Sequence, residues 1–460
     1  MRLFFISLIT PYKENVRGTS ALAYHLLKGV KIMHNAQGAM HNEVRSGSEE
    51  AACIIYSFNA NGLTREQIQE VEKELGAKIK ILSLPRWYRW MFKFHLLFLR
   101  VFLKYPFVNY IKLPKKAVEE IKSLSPDMIW VNSEEMSRIP KQFPGIRRMQ
   151  LGPDVESLYY YRMMGRRFVM NDVVDYWKCA MMYRKYARLE RSFCIDDNYT
   201  YYAVGETDIE HLRQLNPNVN CQFLRHPHYD VKAKQEIHFH QPKIKLLIAG
   251  RYDLYMKQTA DEVLKAISKK PLAISPTAQK THADCAGCAD CADDFMPQNT
   301  TFSSSGGTEG GKHLRDHFSI TFLGKGWEQH AEALRRAGYD VEHIAFAPDY
   351  IEEVCKHDIQ LTPICIGTGT KGKVLDALAN GLLVLGTPFA LENIAVEHGK
   401  SCIEWRNADE VPGILMDIAN NREKYEQIAT AGRDAVLKEH NPALIAAQLF
   451  RTQNSQNSTD

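Results

Sequence analysis

The chain has 460 residues, 45% of them hydrophobic and 24% charged, which excludes a disordered tail protein, a collagen-like fibre and a highly charged adaptor. Its length exceeds the ~250–300 residues at which one hydrophobic core stops growing, so two domains with a cleft between them are expected. Lys and Arg exceed Asp and Glu by 58 − 54 = +4, too little over this length to imply nucleic-acid binding unless the charge is clustered.

Met1-Arg2-Leu3-Phe4-Phe5-Ile6-Ser7-Leu8-Ile9-Thr10 is followed by Pro11, Tyr12, Lys13 and Glu14 with no small-residue cleavage site. That apolar run reads as a buried first strand rather than a signal sequence. A loop over 11–20 leads to a helix from 21 to about 33, then a strand over 52–58, a helix over 65–75, and strands over 78–84 and 128–131. Residues 226–242, with four His and two Pro, read as a hinge. The alternation begins afresh beyond it: a strand over 243–249 ending in Gly250 and Arg251, a helix over 260–267, and strands over 320–323, 341–346, 359–361 and 382–385. Strands alternating with helices predict an α/β chain of two Rossmann-like, doubly wound domains, 1–225 and 243–440, facing across a cleft. Residues 441–460 read as a terminal helix and polar tail, and 272–312 as a flexible insertion of low complexity.

The passage from Leu361 to Thr387 carries the most chemistry. A strand enters Gly367-Thr368-Gly369-Thr370, a helix begins, and a second strand follows Gly381. A helix N-terminus with free amides and a positive dipole end is a site for anions, and glycines let a phosphate approach the backbone. Lys373 and Asp376 stand three apart on one helix face, where a cation and a carboxylate address one ligand together. The plain alternative is a solvated lysine and a surface acid.

This passage resembles the donor-binding signature of GT-B glycosyltransferases of the large family-4-like group, Pro…Gly-x-Gly-x-x-x-Lys-x-x-Glu-Ala-x-Ala-x-Gly followed by an apolar strand and Thr. Gly250-Arg251 with Lys257 is similar to that group's Gly-Arg…Lys pair, which grips the donor diphosphate. The resemblance implies a metal-independent, retaining transfer of a sugar from a nucleotide sugar, which is a co-substrate, so no cofactor is expected. A leaving diphosphate gains charge in the transition state, and Arg251 as a fork with Lys257 as a point charge can meet it. The chain has no Asp-x-Asp of the kind that holds a divalent ion between phosphates. Asp376 stands where the group has Glu, Thr368 where its first acid falls, and Glu392 where its post-strand carboxylate does.

The first domain is then expected to hold the acceptor, a glycan or a lipid-linked molecule. Gly18 matches the glycine loop facing the donor phosphates in the resembling group, or is a turn glycine. Where relatives carry His after the strand ending at Val131, this chain has Asn132, Ser133, Glu134 and Glu135. Asp154 either orients an acceptor hydroxyl or caps the next helix. A nucleotide-sugar epimerase on the same architecture and a non-catalytic sugar- or nucleotide-binding scaffold are the alternative functions.

Between Glu74 and Glu119 there is no acidic residue, while residues 86–116 interleave Arg and Lys with Trp, Tyr and Phe. Such a segment either lies in a membrane interface or packs on the core with its cations reaching solvent. No stretch has the ~20 apolar residues that cross a bilayer. With Cys53, Cys179, Cys194, Cys221, Cys355, Cys365 and Cys402 each alone, a cytoplasmic protein is expected, peripheral at the inner face of the membrane if that segment binds lipid. His282, Cys285, Cys288 and Cys291 offer soft ligands at three-residue intervals without the second pair that zinc sites use, and read as part of the flexible insertion.

Overall fold

The computed structural model of the chain describes residues 2–14, 20–40, 53–165, 173–232, 236–268 and 313–451. Gly18 and the run His282, Cys285, Cys288 and Cys291 lie outside the described residues.

Two parallel sheets form the frame. The first holds β1 (Leu3–Ser7), β2 (Cys53–Ser57), β3 (Ala77–Ile81), β4 (Met128–Asn132), β5 (Arg148–Gly152), β6 (Tyr199–Ala203) and β7 (Cys221–Phe223), in the order β3-β2-β1-β4-β5-β6-β7. The second holds β8 (Ile244–Ala249), β9 (Phe318–Leu323), β10 (Asp340–Ile344), β11 (Ile359–Thr362), β12 (Leu383–Gly386) and β13 (Ile403–Glu404), in the order β10-β9-β8-β11-β12-β13. Helices cover both faces of a parallel sheet, so its strands are buried on both sides and read as continuous apolar runs. Leu246, Leu247, Ile359, Leu383, Val384 and Leu385 are accordingly buried in one core, and Phe5, Ile55 and Trp130 in another.

Local chemistry sets the helix limits where the sequence is clearest. Arg65–Leu75 starts at a capping box between Thr64 and Gln67 and stops at Gly76, whose φ of 61° lies in the left-handed region. The last helix, Pro442–Arg451, leaves the second sheet and packs on the first helix, Ser20–Met40, placing Ile445, Ala446 and Leu449 in the first domain's core. Gly29 permits this crossing, since a Cβ there would overlap the Pro442 backbone.

Strand order reverses between β1 and β4 in the first sheet and between β8 and β11 in the second. In doubly wound sheets ligands bind outside the carboxyl ends of the strands at such a switch point. The loops leaving β8 and β11 carry Gly250-Arg251 and the segment from Gly367 to Thr370, so the fold brings the two halves of the sequence signature to the expected place.

Candidate active site

The second-domain wall begins at Gly250, whose φ of 131° is open to glycine. A Cβ there would stand 3.0 Å from Lys373 Nζ and 2.9 Å from Met256 Cε, so the missing side chain lets the Lys373 ammonium arch over the end of β8. The turn is locked from behind: Trp327 Nε1 donates to Gly250 O at 2.7 Å, Gly250 N to Leu323 O at 2.8 Å, and Tyr252 N to Lys325 O at 3.0 Å. Arg251 and Lys257, the latter at the start of the helix Lys257–Ser268, are exposed and make no ion pair among the described residues. Free cations at the mouth of a switch point are suited to a mobile polyanion.

Asp376 lies one turn beyond Lys373 on the helix Gly372–Ala379 and is buried. Burial pushes its carboxyl up to about 7 against the pull of Lys373, and its Oδ1 has no hydrogen-bond partner among the described residues. Lys371, at the N-cap position of this helix, makes no side-chain cap bond and instead braces the preceding loop, donating to the Thr368 and Gly369 carbonyls at 2.8 Å each. Burial lowers its pKa while Glu392, Asp154 and Asp208 work against the shift.

The loop from Gly367 to Thr370 meets the first domain directly. Arg162, on the helix Glu156–Gly165, donates to Gly367 O at 2.5 Å, Asp208 Oδ2 accepts from Gly369 N at 3.1 Å, and Thr370 Oγ1 donates to Val204 O at 2.7 Å. A Cβ on Gly369 would overlap Asp154 Oδ1 and stand 2.8 Å from Pro153 O. Tyr159 and Tyr255 stack across the same gap with centroids 5.8 Å apart.

Glu392 differs from its expected part. Both its oxygens accept from Arg162, at 2.8 and 3.0 Å, and Thr207 Oγ1 donates at 2.8 Å, so it addresses the first domain. Burial would raise its pKa, but the Arg162 guanidinium more than reverses this and holds it below the usual carboxylate range.

Asp154 does not cap the following helix. The amides there are met by three carboxylates from elsewhere: Val155 N donates to Asp208 Oδ1 at 2.7 Å, Glu156 N to Glu134 Oε2 at 3.1 Å, and Ser157 N to Glu190 Oε1 at 2.9 Å. Asp154 is left facing Thr368 and Gly369. Burial and then the Asp208 charge push its carboxyl up to about 7, with Lys371 and a hydrogen bond from Thr368 acting against them. Glu156 beside it is pushed up to about 8 by burial and the Asp154 charge.

The structure therefore brings Asp154, Gly367, Thr368, Gly369 and Thr370 together, sets Lys373 over Gly250, and keeps Asp376 beneath Lys373. No local motif in the sequence marks Arg162, Asp208, Glu156 and Glu190, and Glu134 stands there only as one of the residues in place of a histidine. Lys371 did carry a signal, standing directly after the Gly-Thr-Gly-Thr loop.

Residues 311–451 match the family described as glycosyl transferase-like. Over 99% of its length the chain has the fold of HepE from Anabaena, solved in complex with UDP, at 11% identity and a TM-score of 0.57, covering 100% of that chain. A glycosyltransferase from Rickettsia africae aligns over 100% of both chains at 10% identity and a TM-score of 0.53. Sucrose-phosphate synthase from Thermosynechococcus elongatus aligns over 99% of each at 9% identity and the same TM-score of 0.53. None of the curated proteins matches by sequence. The two facing parallel sheets are the GT-B fold. Residues 311–451 thus carry a glycosyl transferase-like match within a chain of the GT-B fold.

Proposed function

We propose that the enzyme moves a sugar from a nucleoside diphosphate sugar to a glycan or lipid-linked acceptor, without a metal and with retention at the anomeric carbon. The observation that carries this reading is the gathering, after the strands at the second sheet's switch point, of exposed Arg251 and Lys257 and of Lys373 beside Gly250. Fixed cations aimed at a leaving diphosphate supply the charge stabilisation that a divalent ion otherwise gives. The UDP held by HepE, a protein of the same fold, is in keeping with it.

In this reading Arg251 and Lys257 grip the diphosphate, and Lys373 adds charge beside Gly250. Asp376, with one oxygen free, accepts from a nucleotide hydroxyl. Asp154, opposite the Gly367–Gly369 backbone, orients the acceptor hydroxyl or takes its proton, a role served by a pKa near the working pH. The test is a panel of nucleotide sugars read by thermal shift and by nucleotide release. One donor should raise the melting temperature and be consumed, fastest with an acceptor present. Stabilisation without turnover would replace the reading by a binding scaffold, and release of an isomerised nucleotide sugar by an epimerase.

The acceptor side carries a face suited to an anionic bilayer. Trp90 (59% exposed), Phe94 (58%), Phe98 (64%) and Phe102 (83%) share it with Arg89, Lys93, Arg100 and Lys104. The segment is not one long amphipathic helix but the helix Arg86–Lys93, the 3-10 turns Leu96–Phe102 and Phe107–Tyr110, and the start of the helix Lys115–Ser123. Lys185 Nζ donates to Val101 O at 3.0 Å, and Arg188 Nη1 to Lys104 O at 3.0 Å. These bonds join to the patch the helix Val173–Glu190, whose Val173, Val174 and Trp177 are also exposed. No described helix is long and apolar enough to cross a membrane. Ring burial with nearby cations fits interfacial docking, which brings a lipid-linked acceptor to the first domain. Co-sedimentation with vesicles containing anionic lipid, but not with neutral ones, is expected, and Phe98→Ser with Phe102→Ser should abolish it.

A further inference from the structure

Outside the cleft, one cluster has the composition of a metal site. The hinge segment Glu236-Ile237-His238-Phe239-His240 runs with alternating exposure: Ile237 and Phe239 enter the second domain's core, while Glu236, His238 and His240 are exposed on the other side. There they meet Glu426 of the helix Arg422–Glu439, and ligand atoms of His238, His240 and Glu426 all lie within 4.8 Å of one another.

We infer that His238, His240 and Glu426 bind a divalent transition ion of the zinc type, stapling the interdomain linker to the helix Arg422–Glu439. Three observations carry this. His238 Nδ1 and Glu426 Oε2 are 3.4 Å apart, long for a charge-assisted hydrogen bond but close to the ~3.3 Å separating two ligands of a tetrahedral zinc with ~2.0 Å bonds. The other ring nitrogen of His238 faces Glu236 Oε2 at 3.3 Å, which builds the carboxylate–imidazole–metal relay that fixes a ligating histidine's tautomer. The backbone between the histidines is held beforehand: Phe239 N donates to Glu426 Oε1 at 2.6 Å, leaving Oε2 to the ion, and Arg422 Nη1 donates to the Phe239 and Gln241 carbonyls. The His238 and His240 rings stack with centroids 4.4 Å apart, which keeps the second imidazole beside the first and Glu426. Two imidazoles, one carboxylate and a water make a four-coordinate set that suits Zn2+ and accepts Co2+.

The test uses the full chain in a Cys285→Ser, Cys288→Ser, Cys291→Ser background, so that soft ligands of the insertion do not compete. Titration with Zn2+ against a chromophoric chelator should show one saturable equivalent, with a rise in melting temperature that a chelator reverses. His238→Ala and His240→Gln, both at exposed positions, should each weaken uptake by at least roughly ten-fold and cancel the thermal shift. Glu236→Gln should weaken it less, as a positioning residue does. Co2+ should give visible d–d bands without the sulfur-to-metal charge transfer of a thiolate site. No saturable uptake, or uptake that both histidine variants leave unchanged, would overturn the assignment.

Discussion

The segments that follow β8 and β11 present Arg251, Lys257 and Lys373, whereas those leaving β4 and β5, beside the first sheet's switch point, present Glu134, Asp154 and Glu156. The same architecture thus faces its crevice with cations on one wall and carboxylates on the other. A cationic wall left in solvent is ready to take up a polyanion. The acidic wall is desolvated, so its carboxylates spend themselves on the amides at the start of Glu156–Gly165 or are driven toward protonation. In the proposed reaction this is a division of labour: one wall would hold leaving-group charge and the other would move the proton.

Removing a cation should break that division most severely. Arg251→Ala is expected to lower kcat/KM by roughly 10²–10³-fold, the range for deleting one donor to a developing anion. Lys257→Ala should act in the same direction. Both side chains are exposed and make no ion pair among the described residues, so melting temperatures without ligand should stay within a degree or two while nucleotide-induced stabilisation is lost. Normal stabilisation by nucleotide in both variants would place the diphosphate elsewhere.

On the acidic wall the decisive group is Asp154. With its carboxyl near 7, its charged fraction rises through neutrality, so the rate should climb between about pH 6 and 8 and level above. Asp154→Asn should remove that rise and reduce kcat by about 10²-fold at pH 8, with the donor's KM little changed. A variant retaining the wild-type pH profile would assign the titration to Glu156, whose carboxyl stands near 8.

The two walls also differ in how far they are legible in sequence. The cationic wall is written in contiguous chain: a strand, Gly250 and Arg251, then a Gly-Thr loop ahead of a helix, so spacing alone locates it. The strands around it are largely apolar runs buried at every position but one, which is why 243–249 and 320–323 fall close to β8 and β9. The acidic wall has no such signal, because Glu134, Asp208 and Glu190 converge on one helix end from separate elements through tertiary packing. Glu392 shows the same limit: its position after β12 is plain, but its partner Arg162 lies 230 residues away. The aromatic segment misleads differently, since its composition suits a helix that Pro106 and the left-handed His95 divide.

Where the walls touch, the contact can be probed by one methyl group. Gly369→Ala places a Cβ onto Asp154 and against Pro153 O at a φ of 62°, so loop and acidic wall must move apart. We expect kcat/KM to fall by about 10–30-fold, through misplacement of the reacting groups. Gly372→Ala, where nothing stands within 4 Å of the new atom, is the control and should stay near wild type. Equal effects would mean that backbone freedom of the loop, rather than contact between the walls, sets the rate.

The smallest expected effect on turnover tests the acid beneath Lys373 on the cationic wall. Asp376 has its folded pKa near 7 against 3.8 for an ordinary aspartate, so the folded state binds the extra proton. Stability then falls as pH rises from about 4 to about 7 and stays reduced above, because the buried carboxylate must ionise. Asp376→Asn keeps the shape and removes that charge, so its melting temperature should exceed wild type at pH 8 by a few degrees and converge with it only below about pH 4. If the Oδ1 that has no partner among the described residues accepts from a nucleotide hydroxyl, the variant should also bind UDP about five-fold more weakly, the exchange of a charged acceptor for a neutral amide. A gain at pH 8 without that loss would make Asp376 a strained core acid that Lys373 tolerates; both together make the strain part of the donor site, retained because the ligand needs the oxygen.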